Sequence, residues 1–457
     1  MSEKEYSRRK FLKNSTLTGL GVGLSAGMTP TMLAGSTKDV ATAAILGGEP
    51  IRTEPWPEWP MWDPDTDEAL VLKVLRSGTW SRAKVVSEFE AKWAETIGTK
   101  RCLVTTSGTS ALITALRQLN VGAGDEVIVT PYTFIATVDA ILMVGAMPVF
   151  VDTNPATSQI DADKIEEKIT PNTTTILPVH ILGLPADMGK IMDIARKYKL
   201  AVVEDACQAW LAEVNHKKVG SIGDAGCFSF QNSKHIPIGE GGAITSDNDE
   251  FMDRCFSFHN FGRPHGKVVG TVSGQYVILG SKFRTTEYQA AIGLAQLRRL
   301  EEQTKIREQN AVYLRDKIKG IPGILPYELS PKVTRAVFHI FPLRYKKEAF
   351  HGLGRNKFLE ALNAEGIPGS GGYSPLNNMP YLKDAFQTKI FQKVYPKEML
   401  DFEGFVERNQ CPENDRLCQE AVWFRQSMLL GSRSDMDDIA TAIEKIHSNA
   451  EKLTNIA

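Results

Sequence analysis

Four kinds of residue in this chain carry chemistry by type and position. Glu204-Asp205 closes the apolar run Ala201-Val202-Val203. In open α/β sheets, ligands bind beyond the carboxyl ends of strands, so an acid there points at a site. Lys234 follows Ser229-Phe230-Gln231-Asn232-Ser233 and precedes Gly239-Glu240-Gly241-Gly242. A lysine among glycine-rich loops can sit in a tight, partly desolvated pocket, where its lowered pKa frees the amine as a nucleophile. An acid and such a lysine are what pyridoxal phosphate needs. The lysine forms the Schiff base, and the acid keeps the ring nitrogen protonated so that the ring accepts carbanion electrons. Ser107-Gly108-Thr109-Ser110 lies between a strand and its helix, where free N–H groups make an anion site suited to a phosphate. Phe134 follows the second strand, where its ring could cover the cofactor. Each piece alone has a plainer reading as a cap, a surface charge or a core residue, so only their order together points to this chemistry.

The elements that must position these residues alternate. Cys102–Thr105, 127–129, 148–151, 175–177 and 201–203 read as short strands, and 228–230 and 243–245 as two more. Between them come helices on the Ala111/Leu112/Ala115/Leu116/Leu119 face, from about Phe134 to Val144, around Asp161–Ile169, and through Met188–Tyr198. Short apolar strands joined by amphipathic helices predict an α/β fold with a mostly parallel sheet covered on both faces. A long helix is predicted from about Thr285 to Lys317, ending at Gly320-Ile321-Pro322-Gly323. Arg298-Arg299-Leu300-Glu301-Glu302 on it reads as a solvated face. The division expected is a signal segment over 1–43, an arm and large domain over 44–320, and a smaller C-terminal α/β domain over 321–457.

The chain has 457 residues, with 53 Lys+Arg against 54 Asp+Glu and a formal net charge of −1. No positive excess exists to neutralise a phosphate backbone, which argues against nucleic-acid binding. Ser7-Arg8-Arg9-Lys10-Phe11-Leu12-Lys13 resembles a twin-arginine export motif, and no charge follows from Asn14 to Thr37. Glycines and Pro30 make that stretch a signal rather than a stable membrane span, with Ala41-Thr42-Ala43 or the region of Ala34 as cleavage sites. The expectation is therefore an exported, periplasmic protein, with a cytoplasmic one as the alternative. The six cysteines show no metal-type spacing, so no metal site is expected. Most read as small buried hydrophobes, while an oxidising compartment would let Cys411 and Cys418 pair.

The ordered set Ser107–Leu112, Gly124-Asp125-Glu126-Val127-Ile128, Pro131-Tyr132-Thr133-Phe134, Gly145–Asp152, Pro178-Val179-His180 with Pro185–Met188, Glu204–Ala209 and Phe228–Lys234 with Gly239–Ala243 resembles the DegT/DnrJ/StrS sugar aminotransferases. The resemblance covers about 44–457. It implies the aspartate-aminotransferase-like fold (fold type I), pyridoxal 5'-phosphate as cofactor and a homodimer. It implies Lys234 as the Schiff-base lysine and Asp205 at the pyridine nitrogen. It places Gln208 at the cofactor's 3-oxygen and Phe134 on the ring, with Thr109, Ser110 and Ser229 on the phosphate. A partner-subunit Asn in a G-x-N-x-R motif often completes that phosphate site. Here Gly280-Ser281-Lys282-Phe283-Arg284 puts Lys282 in its place. His180 and Tyr373 sit in motifs that line the acceptor pocket or serve structure.

One departure lies beside the cofactor: the family's His-Gly after Gln-Ala is Trp210-Leu211. Within the family, Leu46–Pro60, Phe228–Lys234 and Arg284–Ala291 are most similar to the glutamine:scyllo-inosose and amino-hydroxybenzoate synthase branch. The implied reaction moves an amino group from Glu or Gln to a cyclic polyhydroxy ketone, a keto-cyclitol or keto-sugar, in a ping-pong cycle serving polysaccharide biosynthesis. The alternatives are a pyridoxal-phosphate sugar dehydratase, which in the family carries a His in the lysine's place, and a non-catalytic exported binding protein.

Overall fold

The computed structural model describes residues 41–266 and 274–455. The signal expected over 1–43 therefore lies almost wholly outside the described residues. Its last three fall inside them: Ala43 is buried, and the Ala41 carbonyl accepts from Asn449 Nδ2 at 2.8 Å.

In chain order the elements are α1 (Pro64–Ser77), α2 (Lys84–Ile97), β1 (Arg101–Thr105), α3 (Gly108–Gln118), β2 (Glu126–Val129), α4 (Ile135–Met143), β3 (Met147–Phe150), β4 (Thr173–Leu177), α5 (Met188–Tyr198) and β5 (Ala201–Asp205). They continue with β6 (Glu213–Val214), β7 (Lys217–Lys218), β8 (Ala225–Ser229), β9 (Gly242–Ser246), α6 (Asp249–His259) and α7 (Glu287–Ile318). The rest of the chain supplies β10 (Ile324–Pro326), β11 (Val333–Arg335), β12 (Ile340–Tyr345), α8 (Arg355–Ala364), β13 (Ser370–Gly371), α9 (Pro412–Glu420), β14 (Ala421–Arg425) and α10 (Arg433–Ser448), with short helical turns between 381 and 408.

The main sheet has seven strands in the order β1-β9-β8-β5-β4-β2-β3. Pairing is parallel from β3 through β8, and β9 runs antiparallel to both β8 and β1. Both faces are covered, and the strand residues alternate between two cores. Val127, Val129 and Val203 face the cluster under α3 and α4, whereas Ile128, Ile176 and Val202 face the one under α2 and α5. That is why each strand reads as an unbroken apolar run. A second sheet, β10-β12-β14-β13, is antiparallel throughout. Its Phe341, Leu343 and Phe424 belong to the same cluster as Leu103.

The helices begin where the side chains say they should. Ser107 and Ser110 form a reciprocal capping box on α3, and Thr286 and Gln289 form one on α7. The stretch 161–169 differs from the expected helix: it makes two 3₁₀ turns, Ala162–Lys164 and Glu166–Lys168. Only Ala162 and Ile165 are buried there, too few to hold a full amphipathic face against the sheet.

Arg298 and Arg299 are also not merely solvated. They hold the buried Asp67 carboxylate at 3.0 and 2.6 Å, docking α1 onto α7. Cys411 and Cys418 are both free. They stand at the two ends of α9, about 10 Å apart along the axis and beyond the reach of a disulfide.

The N-terminal arm is clamped by one buried acid. Glu365 accepts from the Ala44 and Ile51 amides at 2.7 and 3.0 Å and pairs with Lys445 at 2.9 Å.

Candidate active site

The carboxyl ends of β4, β5 and β8, the N-termini of α3 and α4 and the start of β12 surround a cavity of about 550 Å³. Asp205, Lys234, Thr109, Phe134, Gln208, Ser229 and Tyr373 all line it.

Asp205 ends β5 and is 4% exposed. Its Oδ2 accepts from Thr137 Oγ1 at 2.7 Å and its Oδ1 from the Cys207 amide at 3.1 Å. Thr137 is itself braced by Thr133 at 2.8 Å, one turn earlier at the head of α4. Asp205 therefore presents an oriented carboxylate to the cavity.

Lys234 sits in the loop after β8, where its amide donates to the Gln231 carbonyl at 2.8 Å. Burial pushes its ammonium below the ordinary lysine value, against the pull of the Cys207 and Asp205 charges. Its Nζ lies 3.5 Å from His339 Nε2. His339 reaches the cavity because β12 approaches the Ile181–Gly183 turn closely. A Cβ on Gly183, which has φ +86°, would meet the His339 amide nitrogen at 2.6 Å.

Gln208 is fixed at both ends: Oε1 accepts from the Leu182 amide at 2.8 Å, and Nε2 donates to Tyr373 Oη at 2.9 Å. Burial raises the Tyr373 hydroxyl to about 12, so it stays protonated. Phe134, just before α4, is 57% exposed on the cavity wall, an orientation a core aromatic would not take.

At the N-terminus of α3, Ser107, Gly108 and Thr109 face the cavity opposite Ser229. Gly108 is required by close packing, because its Cβ would stand 2.7 Å from Cys207 Sγ.

Three expected residues are placed elsewhere. Ser110 is buried in the α3 capping box, its Oγ accepting from the Ser107 amide at 2.9 Å and donating to the Ser107 carbonyl at 2.8 Å. Ser107 takes its place on the cavity wall. His180 is fully buried with Nε2 3.0 Å from Glu204, and its Nδ1 accepts from the Ala186 amide at 3.1 Å. It braces Glu204 beyond the carboxyl end of β4, flanked by the lining residues Val179 and Ile181. Lys282 is exposed beyond α6, bridged to Asn260, and does not line this chain's cavity.

The departure at Trp210-Leu211 lies behind the cavity rather than in it. Trp210 is fully buried and packs on His235 at 4.9 Å between ring centroids. Leu211 has φ +67°, the left-handed region a glycine occupies without strain.

Thr137, Cys207, Gln231, Glu240, His339 and Trp423 also line the cavity and were not expected. Thr137 stands four residues after Thr133, one turn along the cavity-facing side of α4. His339 and Trp423 arrive from the second sheet and carry no local signal.

The donor set fits pyridoxal phosphate. The cavity offers an amine whose charged form burial disfavours, an oriented carboxylate, an exposed aromatic face, and a helix N-terminus for a phosphate.

The model of the DegT/DnrJ/EryC1/StrS aminotransferase family matches residues 63–444. An L-glutamine:2-deoxy-scyllo-inosose aminotransferase of Streptoalloteichus tenebrarius is 34% identical over 418 residues, covering 88% of this chain and 97% of the relative. The enzyme of the same name from Micromonospora echinospora is 33% identical over 424 residues, covering 90% and 99%. Among solved structures, 3-amino-5-hydroxybenzoic acid synthase superposes with a TM-score of 0.74 at 29% identity over 88% of this chain and all of that one. An aminotransferase from Psychrobacter cryohalolentis gives 0.75 at 28% identity over 87% and all of that chain.

Proposed function

We propose that this chain, which belongs to the DegT/DnrJ/EryC1/StrS aminotransferase family, carries the amino group of glutamine to a cyclic polyhydroxy ketone. It is a pyridoxal-phosphate-dependent aminotransferase of fold type I. The substrate reading rests on relatives that share a third of its residues over nearly their whole length and are named for glutamine and a keto-cyclitol. A keto-sugar belongs to the same acceptor class, and glutamate is the alternative donor. The single structural observation that carries the chemistry is Lys234 and Asp205 lining one cavity.

When bound, the cofactor supplies an electron sink that makes the donor's Cα–H acidic. Lys234 would hold its aldehyde, Asp205 its ring nitrogen, Phe134 its face, and Ser107, Thr109 and Ser229 its phosphate. Gln208, locked by Leu182 and Tyr373, would face its 3-oxygen. Once an amino donor takes its place, the Lys234 amine would be free to accept the donor's Cα proton and to deliver it to the cofactor's former aldehyde carbon. Its burial-lowered pKa suits both directions. Asp205, with Thr137 and the Cys207 amide on its two oxygens, would keep a proton on the ring nitrogen. The same residues in reverse order serve the ketone.

Lys282 completes the phosphate site of a partner subunit in a homodimer. The reading extends to an exported enzyme. The Arg8-Arg9 motif supports it, and an enzyme outside the cytoplasm would meet unactivated cyclitols or sugars of polysaccharide biosynthesis rather than nucleotide-linked ones. Replacing Arg8 and Arg9 with lysine should then retain the protein in the cytoplasmic fraction. Unchanged export would remove this part of the reading.

The reaction is tested by mixing purified holoenzyme with glutamine and following its visible band. The band should bleach with glutamine and return when a scyllo-inosose-type ketone is added. A band indifferent to glutamine and glutamate alike would refute the proposal.

A further inference from the structure

Behind Lys234 lies a cluster that the reaction does not use, reaching the cavity wall through His339. Arg307, in the middle of α7, is fully buried. Its Nε donates to Gln426 Oε1 at 2.9 Å, and its guanidinium carbon lies 5.3 Å from the Trp59 ring centroid. Both terminal nitrogens are buried without a hydrogen-bond partner. Among the described residues no carboxylate pairs with it, although the neighbouring arginines of α7, Arg298 and Arg299, both have one. Burial alone acts on its charge and pulls it down to about 9.

The surroundings deepen the imbalance. Trp210, His235 and His339 form a mutually packed trio, with ring centroids 4.9, 5.8 and 5.9 Å apart. Trp210 Nε1 and His339 Nδ1 are buried and unpartnered, whereas His235 bonds the Phe338 backbone. Burial pushes both imidazoles well below the ordinary histidine value, and the Arg307 charge, with that of Lys234, adds to it. Unpaired donors therefore dominate: two guanidinium nitrogens, the Trp210 indole N–H and an N–H at His339 Nδ1. A buried cation with a surplus of donors calls for an acceptor that carries negative charge.

We propose that Arg307, backed by Trp210, His235 and His339, holds a small monovalent anion, a halide or a short carboxylate, in the interior behind Lys234. An anion that accepts from His339 Nδ1–H fixes the tautomer whose Nε2 lone pair faces the Lys234 amine 3.5 Å away. Occupancy of the internal site and the orientation of the catalytic lysine are thereby linked. Trp210 gives the site its indole donor. The site does not depend on which ketone the enzyme aminates.

Crystals of the wild-type holoenzyme grown in bromide test this. An anomalous peak in hydrogen-bonding contact with the Arg307 terminal nitrogens is expected, and it should vanish in Arg307→Met crystals grown the same way. Chloride-free crystals grown in acetate separate the two sources, because a carboxylate leaves planar density there and a halide site does not. In solution the thermal midpoint of the wild type should rise by about 1–3 °C for each tenfold increase in the occupying anion at fixed ionic strength, with gluconate as the inert replacement. Water-sized density without anomalous signal at Arg307, in bromide and acetate alike, would overturn the proposal. The wild-type crystals alone distinguish these outcomes, even if Arg307→Met does not fold.

Discussion

Lys234 is useful to the reaction because of what surrounds its amine: burial that disfavours the ammonium, and a carboxylate across the same cavity. Lys234→Ala should lose the visible band of the holoenzyme and more than about a thousandfold in turnover, read by absorbance and by amino transfer in the same sample. Asp205→Asn keeps the shape but cannot hold the ring nitrogen's proton by charge. A fall of about 10²–10³-fold in kcat is expected, with the cofactor still bound. Retention of full turnover by either variant would mean that its residue has been given the wrong role. Most of this was readable from the chain, because a strand-end acid, a lysine among glycines and a Ser-Gly-Thr turn are local signals. The places of Ser110 and His180 were not legible, for the opposite reason. Whether a serine at a helix start caps it or faces the ligand, and whether a histidine beside a lining residue turns in or out, depends on rotation about the chain, which spacing does not report. Thr137 became visible only with the helical phase of α4, and His339 only with the return of β12.

At the scale of elements, the end of β5 is held by Glu204 as much as Asp205 shapes the site. Glu204 is fully buried and accepts from His180 and from the Gly220, Ile222 and Gly223 amides at 2.7–3.0 Å. Burial alone would raise its pKa, but His180 and these amides outweigh it and hold the carboxyl below the usual 4.5. A lowered folded pKa contributes stability that is complete above about 4.5 and is lost as pH falls toward the folded value. Glu204→Gln should therefore cost about 2–3 kcal/mol at pH 7, and the gap from wild type should narrow below pH 4.5. Chemical denaturation at pH 7 and pH 4 measures both, and a gap independent of pH would contradict the assignment. On the same face of the sheet, Trp93 of α2 meets Phe228 and Phe230 edge-on at 5.2 and 5.4 Å. Trp93→Ala should cost about 3–5 kcal/mol by the same assay. Strands and long helices were legible because both cores imprint their period on them. The 161–169 stretch was not, since two buried residues suit a 3₁₀ turn as well as a helix.

For the whole molecule, the mostly parallel order of the large sheet followed from alternating strand and helix patterns, whereas the reversal of β9 and the shared core of the two sheets did not. Those depend on which strands meet, and β9 was marked only by its apolar run. The assembly can be tested by mixing. If Lys282 serves the partner subunit's phosphate site, Lys234→Ala and Lys282→Glu chains, each inactive alone, should regain about a quarter of wild-type sites after equal mixing and subunit exchange. No recovery would place Lys282 outside the active site. Beneath all of these stands the claim that a single lysine holds the cofactor. Reducing the holoenzyme with borohydride and mapping the modified peptide measures it directly. The cofactor's mass is expected on Lys234, and its mass on any other lysine, or on none, would contradict that claim.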